Sequence, residues 1–392
     1  MRRQKGATMQ KFRFHVVSLP HTQTTSEYNA CAYTMKVIKF CKMMKSLGHE
    51  VYLYSSEDNE APCDKHIQVV SKKEQSKWFG ENQNKSQFFK VDYDPNKEYW
   101  QTMNRRAIKE IRKRAKKKDF ICLIAGLCQK QIADGLPEFM NVEFGIGYTG
   151  VFSKYKIYES YAHMHYVSGT LHDDNGYSFD TVIPNYFDPQ DFPYKDKKED
   201  FYLFIGRMIE RKGPAIAAEV TRQIGAKLVM VGQGVDKKEG NKIIAKEVTV
   251  EGDHIIHMGH ADIKMRGELM SRAKAVFVFS TYLEPFGGTS IEPLFCGTPV
   301  ITTDWGAFPE NIPHGIAGYR SRTLGEAIWA TKNLDKLDPK TIRKYAIDNF
   351  SMDRIKYLYQ AYFEQLNTLW DKGWYSKWDN GVSKYKRYSK YS

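Results

Sequence analysis

Short runs of β-branched and aromatic residues alternate with longer amphipathic stretches along this sequence, and that alternation restricts the fold more than any single residue does. Residues 12–18 read as a strand and residues 20–27 as a polar loop. In residues 28–47 the apolar side chains Val37, Ile38, Cys41, Met44 and Leu47 recur at three- and four-residue spacing, as on one face of a helix. Gly48 ends that helix, and residues 51–54 form the next strand, so the unit is strand, helix, strand. Further strands are expected at 120–125 and 142–148, with a short one at 166–168. The pattern restarts with strands at 201–206 and 227–232, a helix at 265–273, and strands at 276–280 and 299–302. Residues 352–369 are helical by period. The prediction is an α/β chain of two doubly wound domains facing each other across a cleft. The first covers residues 12–192 and the second 200–350, with the charged run 195–200 as the linker. A leader without order, 1–11, precedes them, and a helix with a basic aromatic tail, 351–392, follows. Ligands of such sheets bind beyond the carboxyl ends of the strands, which singles out the loops after Ser18, Ile205, Val231 and Ser280.

Composition narrows the class of function. The chain has 392 residues, 42% hydrophobic and 27% charged, an ordinary globular balance. It contains no apolar run long enough for a membrane-spanning helix, and no apolar segment follows the basic N-terminus as in a secretory signal. The six cysteines, Cys31, Cys41, Cys63, Cys122, Cys128 and Cys296, form no C-x-x-C pair and no zinc-ligand spacing with histidine. Reduced thiols and a cytoplasmic location are the expectation, with no metal. The net charge of +13 favours anionic partners: a nucleotide, an anionic surface or nucleic acid.

Two segments carry recognisable chemistry. After the strand that ends at Ser280 comes Thr281-Tyr-Leu-Glu284-Pro-Phe286-Gly287-Gly288-Thr289-Ser-Ile-Glu292, followed by Gly297-Thr-Pro-Val300-Ile301. Two glycines at a strand-to-helix junction let backbone N–H groups approach an anion at the helix N-terminus. Glu284 before the helix and Glu292 inside it can each accept hydrogen bonds from sugar hydroxyls. Upstream, Gly206-Arg207-Met-Ile-Glu-Arg-Lys212-Gly213 follows another strand. Its Arg207 and Lys212 can both reach one diphosphate, the first as a planar fork and the second as a point charge.

Together these segments resemble the signature of retaining GT-B glycosyltransferases of the group 1, E-x7-E type: E-P-F-G-x-x-x-x-E with G-x-P-V-I, and G-R-x-x-x-x-K-G. Ile183-Pro-Asn185 with Asp188, Val231-Gly-Gln-Gly234 and Phe350-Ser351 agree with the same pattern, so the resemblance covers most of residues 182–355. It implies two Rossmann-like domains, with the C-terminal helix returning to the first. It also implies metal-independent transfer of a hexose or pentose from a nucleoside-diphosphate sugar (UDP-, GDP- or another), with retention of configuration and no cofactor beyond that donor. Arg207 and Lys212 would neutralise the departing diphosphate. Backbone groups at Phe286, Gly287, Gly288 and Thr289 would cradle sugar and phosphates, Glu284 would hold the donor sugar and Glu292 the ribose. The first half is similar in plan alone, and distantly to glycosyltransferases of large phages and viruses.

The acceptor side departs from the family. The first loop, residues 20–26, holds no glycine and offers His21, exposed in a cleft loop, and Thr22. Glu143 and Tyr148 are further acceptor contacts, and His163 and His165 lie on an aromatic stretch nearby. Residues 105–118 hold nine basic residues and one acid, Glu110, with a thin apolar line of Ala107, Ile108, Ile111 and Ala115. That pattern fits a solvated helix face or contact with an anionic membrane surface. The tail interleaves Trp374, Tyr375, Lys377, Trp378, Lys384, Tyr385 and Arg387, which fits nucleic acid or a packed tail. Three readings stay open: transfer to a glycan, lipid-linked or protein-linked saccharide; transfer to modified bases of DNA; and a non-catalytic sugar-nucleotide-binding module.

Overall fold

The structure, a computed structural model, describes residues 9–80, 91–172 and 179–369. Most of the leader and all of the tail from residue 370 therefore lie outside the described residues.

The first sheet holds seven parallel strands in the order β3-β2-β1-β4-β5-β6-β7. These are β1 (Arg13–Val17), β2 (Glu50–Ser56), β3 (Lys65–Val70), β4 (Phe120–Leu123), β5 (Met140–Ile146), β6 (Tyr155–Tyr158) and β7 (Thr181–Val182). Five helices accompany it: α1 (Ala32–Ser46), α2 (Lys72–Phe79), α3 (Glu98–Arg112), α4 (Lys130–Gly135) and α5 (Tyr161–Thr170). In α1 the buried residues Val37, Phe40, Cys41 and Met44 follow the helical period. The second domain begins with β8 (Tyr202–Ile205), α6 (Pro214–Gln223) and β9 (Leu228–Val231). It continues through β10 (Val235–Glu239), β11 (Lys242–Ala245), β12 (Thr249–Glu251), β13 (Ile255–His257), α7 (Ile263–Arg272) and β14 (Ala275–Val278). Then come α8 (Gly288–Phe295), β15 (Val300–Thr303), α9 (Phe308–Asn311), β16 (Gly318–Ser321), α10 (Leu324–Thr331) and α11 (Pro339–Phe350). Its sheet is β13-β9-β8-β14-β15-β16, again parallel, with the switch of direction between β8 and β14.

Each domain closes its own core, around Phe14, Phe40, Phe120 and Phe144 in the first and Phe204, Phe277 and Phe295 in the second. The last helix, α12 (Met352–Asn367), returns to the first domain as predicted. The Phe363 ring lies 4.6 Å from that of Phe14 and 4.9 Å from that of Phe120.

Four features differ from the sequence reading. The chain leaves the first core at Tyr186 and enters the second at Phe187, ahead of the charged run. Lys198 of that run bonds the Ser271 and Cys296 carbonyls and the Thr298 hydroxyl, so residues 195–200 are fastened to the second domain and are no linker. Residues 166–168 continue α5 because the turn before them is already helical. Between β9 and β13 stands an antiparallel meander, β10-β11-β12, whose Gly240-Asn241 connection pairs Glu239 with Lys242. The basic run ends as a helix at Arg112, and its apolar line faces inward: Ala107 and Ile111 are fully buried. Ile108 and Ala115, the rest of the line, are partly buried against the same core. Among the described residues no helix is long and apolar enough to cross a membrane.

The two crossings between domains are bonded to each other. Phe187 N–H donates to the Phe350 carbonyl at 3.0 Å, and Met352 N–H to the Phe187 carbonyl at 2.9 Å.

Candidate functional site

The strand ends of both sheets face a cavity of about 430 Å³ between the domains. Lys212, Arg266, Glu284, Gly287, Gly288 and Glu292 line it from the second domain. Tyr33, Lys36 and Lys39 of α1, with Gly147 and Glu159, line it from the first.

Local backbone aims the central pair. After β8 the chain makes a short 3-10 turn and reaches Gly213, at φ 75°, where a Cβ would sit 2.4 Å from the Phe279 carbonyl oxygen. Pro214 then opens α6, and Lys212 is turned toward the end of β14. Its Nζ lies 2.5 Å from Glu284 Oε1, which also accepts from Ser280 Oγ at 2.7 Å. The Tyr282 hydroxyl donates to Glu284 Oε2 at 2.6 Å and accepts from Lys212 Nζ at 3.0 Å. Burial, then the Glu284 charge, pushes the Tyr282 hydroxyl far above its ordinary range, so it stays a donor. Arg207 stands on the turn after β8, and its charge acts on the same hydroxyl, though it is not among the residues lining the cavity.

The opening of α8 supplies the anion-facing backbone. Gly287 caps it at φ 79°, and a Cβ there would meet the Phe308 ring at 2.6 Å. Gly288 and Thr289 are its first two residues, whose N–H groups have no carbonyl partner within the helix. Phe286 contributes backbone only: its ring is buried against Phe187, and its carbonyl accepts from Asn311. Glu292, one turn in, is ion-paired with Arg266 of α7. On the opposite wall Lys36 Nζ pairs with Glu159 at 2.7 Å, and Lys39 Nζ donates to the Tyr186 carbonyl at 3.1 Å. Burial lowers the Lys39 pKa and raises that of Glu159.

Of the four acceptor-side residues, none lines this cavity. His21 is buried, 4% exposed, among the rings of Phe79, Tyr93 and Trp100, correcting the expectation of an exposed loop histidine. Those rings come from segments far along the chain, beyond the reach of a local reading. Thr22 bonds Thr34 inside the fold. Glu143, fully buried, accepts from the N–H groups of Phe152 and Ser153 and from the Tyr148 hydroxyl, and so holds the loop after β5. Tyr148 lines a second pocket beside the cleft. His163 is a buried contact to the Tyr148 carbonyl. Arg266, Tyr282, Lys36, Lys39 and Glu159 are site residues that the sequence reading missed. Only Tyr282, inside the quoted segment, carried a signal.

Burial pushes the His21 pKa down to about 3, from an ordinary 6.5. The group therefore stabilises the fold above pH 6.5, and that contribution is lost as pH falls from 6.5 toward 3. By pH 4 the loss amounts to about 3 kcal/mol. Urea unfolding of His21→Leu should show a shallower acid slope over that window than the unsubstituted protein.

Apart from the bonded crossings, a second set of contacts clasps the domains. The Glu310 carboxylate of α9 accepts from the Tyr161 and Ala162 N–H groups at the start of α5, at 2.8 and 2.7 Å. Ser160 Oγ donates to the Pro285 carbonyl at 2.6 Å. Glu310→Ala should cost about 1 kcal/mol of stability, as for a lost helix cap, and raise the radius of gyration in small-angle scattering.

Two doubly wound parallel-sheet domains, a cleft between their strand ends and a last helix that returns to the first domain define a GT-B fold. Residues 188–323 match the profile of the family described as glycosyl transferases group 1, and apart from Phe187 these residues hold the second-domain wall of the cavity. An uncharacterized glycosyltransferase of Methanocaldococcus jannaschii is 26% identical over 40% of this chain and 40% of its own length. The D-inositol 3-phosphate glycosyltransferase of Pseudarthrobacter chlorophenolicus is 31% identical over 33% of this chain and 32% of its own. The matches thus span two fifths or less of these relatives. Among solved structures, AviGT4, a glycosyltransferase involved in avilamycin A biosynthesis, superposes with a TM-score of 0.63 at 19% identity, over 91% of this chain and 98% of its own. Anabaena HepE, solved in complex with UDP-glucose, gives 0.60 at 13% identity, over 91% of this chain and all of its own. At these identities the likeness is one of fold.

Proposed function

We propose that this chain is a glycosyltransferase that moves a sugar from a nucleoside-diphosphate donor to an acceptor hydroxyl. The observation that carries the reading is the pairing of Lys212 with Glu284 at the opening of α8, within the segment that matches the family profile. The cavity offers cations and helix N–H groups for a diphosphate, and carboxylates for sugar and ribose hydroxyls, without a metal. In the transfer the bond from the anomeric carbon to the β-phosphate oxygen breaks and its electron pair leaves with the diphosphate. A bond from the acceptor oxygen to that carbon forms on the same face, retaining configuration, and the acceptor proton passes to the departing phosphate oxygen. Lys212 and Arg207 stabilise the charge that develops there. The six free thiols, four of them buried, suit a reducing compartment such as the cytoplasm.

A thermal-shift screen of UDP, GDP, ADP, CDP and their common sugars, without added metal, tests the reading. A ligand at about a hundred times its Kd stabilises by about 2.7 kcal/mol. One nucleotide standing out identifies the donor, and no shift across the panel overturns the reading. A second reading, transfer to a base in DNA, rests on the exposed flank of Arg105, Lys109, Lys116 and Lys117. Absence of duplex binding at low salt removes it.

A further inference from the structure

A second pocket of about 340 Å³ opens in the first domain at the ends of β4 and β5, within the size range of small-molecule sites. Tyr33 and Tyr148 make one side, Gly126 and Gly150 the floor, and Leu127 and Tyr93 the mouth. The floor is built for close approach: Leu127 N–H donates to the Gly150 carbonyl at 2.8 Å, and a Cβ on Gly126 would stand 2.9 Å from the Tyr148 ring. The rings of Tyr33 and Tyr148 lie 5.9 Å apart, inclined at 60°. Among the described residues no acidic or basic side chain lines the pocket, in contrast with the ion pairs of the cleft.

The two cavities share Tyr33. Its ring turns to Tyr148, while its hydroxyl stands where Glu159 and Pro285 converge on Gly147: a Cβ at Gly147 would lie 3.5 Å from that hydroxyl and 3.3 Å from the Glu159 carboxylate. A molecule seated in the pocket therefore ends at the cleft, beside the loop that carries Glu284.

We propose that this pocket is the acceptor subsite and that the acceptor carries a neutral aromatic ring, held between Tyr33, Tyr93 and Tyr148 with its reacting hydroxyl directed past Gly147 into the cleft. The inference rests on the transferase reading. Faces and edges of tyrosine rings favour an aromatic guest, and a charged one would lose its hydration here without gaining a partner. The net positive charge of the chain, which favours the anionic donor, does not extend to the described residues that line this pocket.

Titration of the protein with 4-nitrophenyl β-D-glucopyranoside and methyl β-D-glucopyranoside, followed by saturation-transfer NMR, tests the proposal. Both probes are neutral and differ in the ring. The nitrophenyl glycoside should bind about tenfold more tightly, a margin that one buried ring readily supplies. Leu127→Trp, which fills the mouth at an exposed position, and Tyr93→Ala should each abolish that margin while nucleoside-diphosphate binding stays unchanged. Equal affinity of the two glycosides, or a margin that survives both substitutions, overturns the inference. Nucleotide binding without ring preference overturns it alone, whereas ring preference without nucleotide binding overturns the transferase reading beneath it.

Discussion

Lys212→Ala should lower turnover with the donor found in the nucleotide screen by about 10²–10³-fold, the loss typical of removing one preorganised group from developing charge. Lys212 is the cation closest to Glu284, and its Nζ is placed by both that carboxylate and Tyr282. Its removal takes the ion-pair partner from Glu284, whose side chain is 7% exposed, at about 3–5 kcal/mol of stability. The two losses separate in the double substitution Lys212→Ala with Glu284→Gln, which removes both charges. Stability should recover while turnover does not. Full turnover in Lys212→Ala, measured as nucleoside diphosphate released, would reduce the pair to a structural one.

Phe363→Ala is the largest expected loss of stability outside the site, about 3–5 kcal/mol for a fully buried phenylalanine. The ring meets Phe14, Phe40 and Phe120, which belong to α1 and the middle of the first sheet. Calorimetry should therefore show the transition of the first domain shifted down and that of the second domain unmoved. A shift of both together would mean that the domains unfold as one unit despite their separate cores.

These effects follow from parts of the molecule that were unequally legible. The strand and helix alternation was readable because the central parallel strands, buried on both faces, are continuous apolar runs, as at 202–205, 228–231 and 275–278. Lys212, Glu284 and Glu292 were readable because glycines that tolerate no Cβ flank them at fixed spacing. The meander was hidden by its charge: of β10 every residue but Val235 is exposed, so no apolar alternation marks it. The domain crossing was hidden by chemistry of the opposite kind, since Tyr186 and Phe187 are both buried aromatics and differ only in which core receives them. Arg266, Lys36 and Glu159 reach the cleft from separate elements, and nothing local in a helix such as α7 says which of its cations will face a glutamate of α8. His21 and Glu143 show the converse. A polar residue beside a strand end reads as a cleft residue until distant rings and loops are folded over it.

The return of α12 has a consequence for synthesis on the ribosome. The second domain is one continuous stretch, and it can close as soon as Phe350 has left the exit tunnel. The first domain is not continuous. Its N-terminal strands emerge early, but the groove between Phe14, Phe40 and Phe120 stays open until residues 352–367 arrive, after the whole second domain. Assembly of this chain thus runs from the middle outward, and its earliest-made part is the last to be completed.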